Sequence, residues 1–246
     1  MKSLSKYLNE NLVNEAVITV GPDGKYHPTD RYDLMKLIKR LLMERGDDAD
    51  LNDIDTSGVT SMRDLFYRSN FNGDISQWDV SNVINMMNMF RESNFNGDIS
   101  KWNVSKVEDM SHMFEGSVFD GDISKWDVSR VDNMEYMFSD SKFNNDISKW
   151  NVSNVTNMLG MFSDAKKFNG NISKWNIAKV TKMGSMFQHS VFKGDISKWN
   201  VEEERVDCVA MFSGCPLEKN PPKWFKDLPP KWYRERYGVN TWGKNR

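Results

Sequence analysis

Cysteine and histidine are the scarce residues of this chain of 246 residues. Cys208 and Cys215 are its only thiols, too few for a disulfide framework. No further cysteine or nearby histidine completes the four ligands of a structural zinc site, so both read as core thiols. Charge of one sign is lacking too. The formal net charge is −2, which argues against a general polyanion binder. No run of 18 apolar residues occurs, so no transmembrane helix is expected. The opening "MKSLSKYLNENLVNEA" lacks the continuous apolar core of a secretory signal peptide. P-loop, GxSxG, HExxH and dinucleotide fingerprints are missing as well. We therefore expect no catalytic residue, no cofactor, no metal and no membrane partner.

What the chain has instead is repetition. Tryptophan recurs at Trp78, Trp102, Trp126, Trp150, Trp175, Trp199 and Trp224, always 24 or 25 residues apart. A second column runs Phe66, Phe90, Phe114, Phe138, Phe162, Phe187, Phe212, and a third Phe71, Phe95, Phe119, Phe143, Phe168, Phe192, with Leu217 in seventh place. A spacing this regular is the mark of a stacked repeat architecture.

Two periods coexist inside one unit. In "DISKWNVS", Trp102 and Val104 share a face of an extended segment and Lys101 and Asn103 point away, which predicts a short strand. In "VEDMSHMF", Val107, Met110, Met113 and Phe114 follow a helical stripe, which predicts one or two helical turns. "FNGD" then turns the chain, with Gly97 free to take positive φ and Asn96 and Asp98 supplying turn hydrogen bonds. One such unit buries too little to fold alone, whereas stacked units merge their apolar columns into one core. The fold class expected is an α/β repeat solenoid of about seven units of 24–25 residues, each a short parallel strand plus a short helix.

The pattern F-N-G-D-I-S-K-W-N-V-S-x-V-x-x-M-x-x-M-F, from about residue 51 to 224, resembles the BspA-type leucine-rich-repeat surface-protein family. The resemblance implies a leucine-rich-repeat-like right-handed coil and a binding role, without naming a partner. The chain departs from that family in having no lipid-attachment cysteine near its start. Residues 1–16 are amphipathic, with Leu4, Leu8 and Leu12 against Lys2, Lys6 and Glu10, and "VNEA" ends them. They resemble the capsid-targeting peptides of tailed-phage internal proteins, which implies a place within a phage particle; the two cysteines fit a reducing location, the cytoplasm of a host cell.

The ends should cap the stack. Residues 17–50 read as an N-terminal cap. Its helix, residues 30–45, is N-capped by Asp30, striped by Leu34, Ile38, Leu41 and Leu42, and stopped by Gly46. Such a helix would cover the edge of the first unit. Residues 51–220 hold the repeats. Residues 221–246 form an irregular C-cap with seven basic and two acidic residues among Trp224, Phe225, Trp232, Tyr233, Tyr237 and Trp242. Basic plus aromatic can also mean a nucleic-acid surface.

Identical columns hold a fold, so specificity belongs where the units differ. The partner-binding candidates are Arg91, His112, Glu115, Tyr136, Lys166, Lys167 and His189. His112 and His189 lie three units apart, about 15 Å at strand spacing, too far to share a metal; His27 reads as solvated. A column of Lys101, Lys125, Lys149, Lys174 and Lys198 could form a basic stripe for an acidic partner, and the aspartate column Asp74, Asp98, Asp122, Asp146, Asp195 reads as turn caps. The function expected is a non-enzymatic protein-protein interaction solenoid, internal to a phage or directed at its host. The alternatives are a structural virion component and a nucleic-acid binder acting through the C-terminal segment.

Overall fold

The computed structural model describes residues 18–201 and 206–227. The amphipathic peptide at residues 1–16 and most of the basic-aromatic segment lie outside them.

The N-terminal cap follows from local chemistry. Val20 pairs antiparallel with Tyr26, and Tyr26 pairs in parallel with Ile54 of the first repeat. Helix α1, Arg31–Arg45, then begins at Asp30, whose carboxylate accepts the N–H groups of Tyr32 at 2.7 Å and Asp33 at 2.9 Å. It ends where Gly46 takes φ 87°. Leu34, Leu37, Ile38 and Leu41 are buried in the same core cluster as the repeats. Arg31 reaches Asp64 of the first repeat at 3.7 Å.

From there the described residues build seven rungs. Single-residue parallel bridges join Ser61, Asn85, Asp109, Asn133, Asn157, Lys182 and Asp207 in succession. In the arc after each bridge, alternate amides take different partners. The N–H groups of Met62, Asp64, Phe66 and Arg68 donate to the carbonyls of Asn85, Met87, Met89 and Arg91 in the next rung at 2.9–3.0 Å. Those of Leu65, Tyr67 and Ser69 turn back to Met62, Asp64 and Phe66 in their own rung. The pattern recurs as far as Met183, Ser185, Phe187 and His189, which donate to Asp207, Val209, Met211 and Ser213.

This corrects the internal layout of the unit in two ways. The arc 107–114 is not helical, and among the described residues no helix lies between α1 and the 3₁₀ turn Pro216–Glu218. Two positions per rung are left-handed: Asp64, Asn88, His112, Tyr136, Gly160, Ser185, Ala210, and four residues on Arg68, Glu92, Gly116, Asp140, Asp164, His189, Gly214, all with φ between 50° and 70°. A left-handed residue ends an α-helix. The successive three-residue turns that result space Met110, Met113 and Phe114 much as a helix would, hence the misleading stripe. Nor is "DISKWNVS" a strand. Trp102 N–H donates to Ile99 and Val107 N–H to Val104, two tight turns in a row, and the inter-rung bridge falls on Asp109 instead.

Short polar side chains set these turns. In one rung, the side-chain oxygens of Asp98, Asn103 and Asp109 each accept the N–H two residues on, from Ser100, Ser105 and Ser111. Gly97 is not at positive φ. It is glycine because a Cβ would sit 2.8 Å from the Phe95 ring. Inside, rings stack rung on rung: Phe90 and Phe114 lie 5.7 Å apart, Phe95 and Phe119 6.3 Å, and Trp78 and Trp102 6.4 Å. The repeat methionines Met86, Met89, Met110, Met113, Met134 and Met137 are fully buried beside them. After the last rung, helix α2, Lys223–Asp227, lays Trp224 on Trp199 and Phe225 on Phe212.

Candidate interaction surface

The left-handed corner places side chains from neighbouring rungs side by side. Arg68 holds Glu92 with two hydrogen bonds, Nε to Oε2 at 2.8 Å and Nη2 to Oε1 at 3.2 Å. Its guanidinium depresses the Glu92 carboxyl below the usual range. One residue earlier in each rung, Arg91 donates through Nη2 to Glu115 Oε1 at 3.1 Å, and His112 Nδ1 lies 2.5 Å from Glu115 Oε2. The His112 ring stacks on Tyr136 at 5.3 Å, and Arg68 and Arg91 both lean over the half-exposed Tyr67 ring.

Arg91, His112, Glu115 and Tyr136, four of the residues singled out by their variability, thus form one contiguous patch with Tyr67, Arg68 and Glu92. Arg91, His112, Glu115 and Tyr136 are half-buried, Tyr67, Arg68 and Glu92 exposed, and the ionic groups already have partners within the chain. The patch is internally paired and near charge balance rather than a free cationic or anionic surface. The other three candidates stand apart from it. Lys166 turns to Asp164 and to the carbonyl of His189. Lys167 is exposed in the extra residue of a 25-residue unit, and His189 is exposed with its ring over Gly214.

Lys101, Lys125, Lys149, Lys174 and Lys198 are all exposed along one side. They do not form a purely basic stripe. The aspartate column runs beside them three residues earlier, equally exposed. Its carboxyls sit below the ordinary range. For Asp98 the main cause is the Ser100 hydroxyl, then its amide; for Asp122, Asp146 and Asp195 it is the amide of the serine two residues on, then its hydroxyl. The lysine on the same rung is a smaller contribution.

Three arrangements escaped the sequence. Every repeat tryptophan donates its indole N–H to the rung before, as Trp126 does to the Ile99 carbonyl at 3.1 Å; Trp at the same spacing as Ile signalled this only in retrospect. A side-chain rail runs through Asn72, Asn96, Asp120, Asn144 and Asn169, whose Oδ1 atoms accept backbone N–H groups of the following rung at 2.8–3.3 Å. His27 is not simply solvated. It lies between Asp23 Oδ1 at 2.9 Å and Asp55 Oδ2 at 3.2 Å, and these carboxylates, Asp23 foremost, raise its pKa.

Cys208 and Cys215 are not joined in a disulfide, and burial pushes the Cys215 thiol up. Among the described residues no group of three His, Cys, Asp or Glu side chains is placed to hold a metal ion. No helix there is long and apolar enough to cross a membrane. The family model described as "Mycoplasma protein of unknown function, DUF285" matches residues 38–142 and again residues 117–224, so the match itself repeats along the chain. No curated protein and no solved structure matches.

Proposed function

Starting from the fact that this chain belongs to the DUF285 family, a family of repeats, we propose that it is a non-enzymatic protein-binding solenoid, leucine-rich-repeat-like in the manner of the BspA-type proteins it resembles. One observation carries the reading. The buried positions are the same residue types rung after rung, while the left-handed corner changes at every step, from the half-buried Asn88, His112 and Tyr136 to the buried Gly160. Packing demands the first kind of uniformity. Packing accounts for Gly160, which lies against the Tyr136 ring, but it does not call for His112 or Tyr136 themselves, and a display surface does.

The patch around Tyr67, Arg91, His112, Glu115 and Tyr136 is the binding face we favour. Tyrosine and arginine are enriched where partners make their strongest contacts. Side chains already held by one another lose little freedom on binding. The test is a variant with Arg91, His112 and Tyr136 all changed to Ala. Its circular dichroism should match the parent, and capture of a host-lysate partner, read by mass spectrometry, should fall at least roughly 30-fold, the effect of losing one strong contact of about 2 kcal/mol. An unchanged set of captured proteins removes this face from consideration.

A further inference from the structure

The lysines of the charged stripe repeat without a structural reason. Lys101, Lys125, Lys149, Lys174 and Lys198 are exposed, and among the described residues none of their ammonium groups has a hydrogen-bond partner. Other exposed columns drift freely. The position after the second Val of each unit is Ile84, Glu108, Asp132, Thr156 and Thr181. The aspartates of the stripe do have a local role, since each caps a turn, and Asn171 fills that role without a charge. Uniform charge at exposed positions therefore calls for a different cause from uniform packing.

The stripe has three parts. An acidic column (Asp98, Asp122, Asp146, Asp195) and a basic one (Lys101, Lys125, Lys149, Lys198) flank in sequence a column of serines, Ser100, Ser124 and Ser148 half-buried and Ser197 exposed. Neighbouring aspartates repel along the column: Asp74 acts to raise Asp98, and Asp122 to raise Asp146. A partner that relieves this must carry both signs, side by side, repeated at the pitch of these rungs. A globular surface with scattered charges matches one or two rungs. A second copy of the same stripe matches all of them.

The relative orientation follows from symmetry. Turning a stripe by a half-turn about an axis running along its serine column exchanges left and right and keeps every rung at its own height. The acidic column of each copy then faces the basic column of the other. A half-turn about an axis across the rungs, which would make the two copies antiparallel, sets aspartate against aspartate and lysine against lysine. We propose that the Asp-Ser-Lys stripe is a self-complementary surface through which two copies of this chain associate side by side with their rungs parallel and in register, related by a two-fold axis along the serine column. The contact lies apart from the Arg91–Tyr136 patch, which stays available, so the two proposals stand or fall separately.

The experiment uses the full chain in sedimentation velocity at low and at high ionic strength. Exposed ion pairs are screened by salt, so the dimer should form at low salt and dissociate at high salt. Two variants test the pairing without touching the core. In one, Lys101, Lys125, Lys149 and Lys198 become Glu; in the other, Asp98, Asp122, Asp146 and Asp195 become Asn, which keeps the turn-capping oxygen. Each variant alone should be a monomer, and an equimolar mixture should form a weaker dimer, since one of the two Asp–Lys columns is restored and the other sets Glu against Asn. Zero-length carbodiimide coupling between isotopically heavy and light copies should join Lys101 of one to Asp98 of the other. A wild-type monomer at low salt, variants that dimerise like the parent, or cross-links from Lys101 to Asp195 would each overturn the proposal.

Discussion

Replacing Gly160 with Ala probes the left-handed corner most directly, because the corner stores two separable costs there. Gly160 has φ +60°, and a Cβ built on it would lie 2.2 Å from Cε1 and 2.5 Å from Cδ1 of Tyr136. Alanine in the left-handed region costs about 1–2 kcal/mol, of which about 0.4–1 kcal/mol is returned by the stiffer unfolded chain. The Tyr136 ring must then leave its place over Gly160 and its stack on His112, and an aromatic pair is worth about 0.5–1.5 kcal/mol. The sum is a loss of about 1–2.5 kcal/mol, equivalent to a fall in Tm of roughly 2–10 °C for a chain of this size. Tyr136→Ala removes the obstacle while leaving position 136 left-handed. In the double variant the second cost vanishes, so the two single losses should exceed the double loss by about 1 kcal/mol. Urea unfolding followed by far-ultraviolet circular dichroism gives all four corners of this cycle. Additivity within about 0.3–0.5 kcal/mol would mean that the two positions do not touch, and the placement of the corner would be wrong.

Two further expectations follow from the interior and the cap. Trp126→Phe leaves the Ile99 carbonyl without its indole donor in a fully packed rung and should cost about 2–3 kcal/mol; Trp224→Phe, half-buried at the last rung, should cost clearly less, and the order would be read from the two urea midpoints. Both ring nitrogens of His27 face carboxylates, so the arrangement suits the imidazolium. Its pKa is raised in the folded state, so its contribution is complete below the ~6.5 of an ordinary histidine and disappears as pH rises through the raised value. Hydrogen exchange at the Tyr26 and Asp55 amides, which join the cap to the first rung, should therefore be slower below that pH, after correction for intrinsic rates, and His27→Gln should erase the difference. Equal protection on both sides in the parent would show that His27 does not hold the cap.

The repeat, its period and its buried columns were legible in the sequence because burial depends on residue type alone. A position that holds Trp, Phe or Met at every 24th or 25th residue has to face a common core, whatever the backbone does between. Asp30 marked the start of α1 for a similar reason: its chemistry acts on amides two and three residues away. The candidate patch was legible in part. Variation between units pointed to Arg91, His112, Glu115 and Tyr136, yet nothing local revealed that these groups are one another's partners, 24 residues apart in the Arg91–Glu115 and His112–Tyr136 contacts.

Backbone conformation was decided at the tertiary level. A spacing of three and four residues is shared by an α-helix and by successive tight turns, so Met110, Met113 and Phe114 read as a helix. Which of the two forms depends on whether the amides of Met110, His112, Phe114 and Gly116 find acceptors in their own segment or in the next rung, and they find them at Asn133, Glu135, Met137 and Ser139. The composition of one unit determined what had to be buried; only its neighbour, by supplying those carbonyls, determined the path the chain takes to bury it, because a hydrogen bond between rungs does not exist until two rungs are stacked.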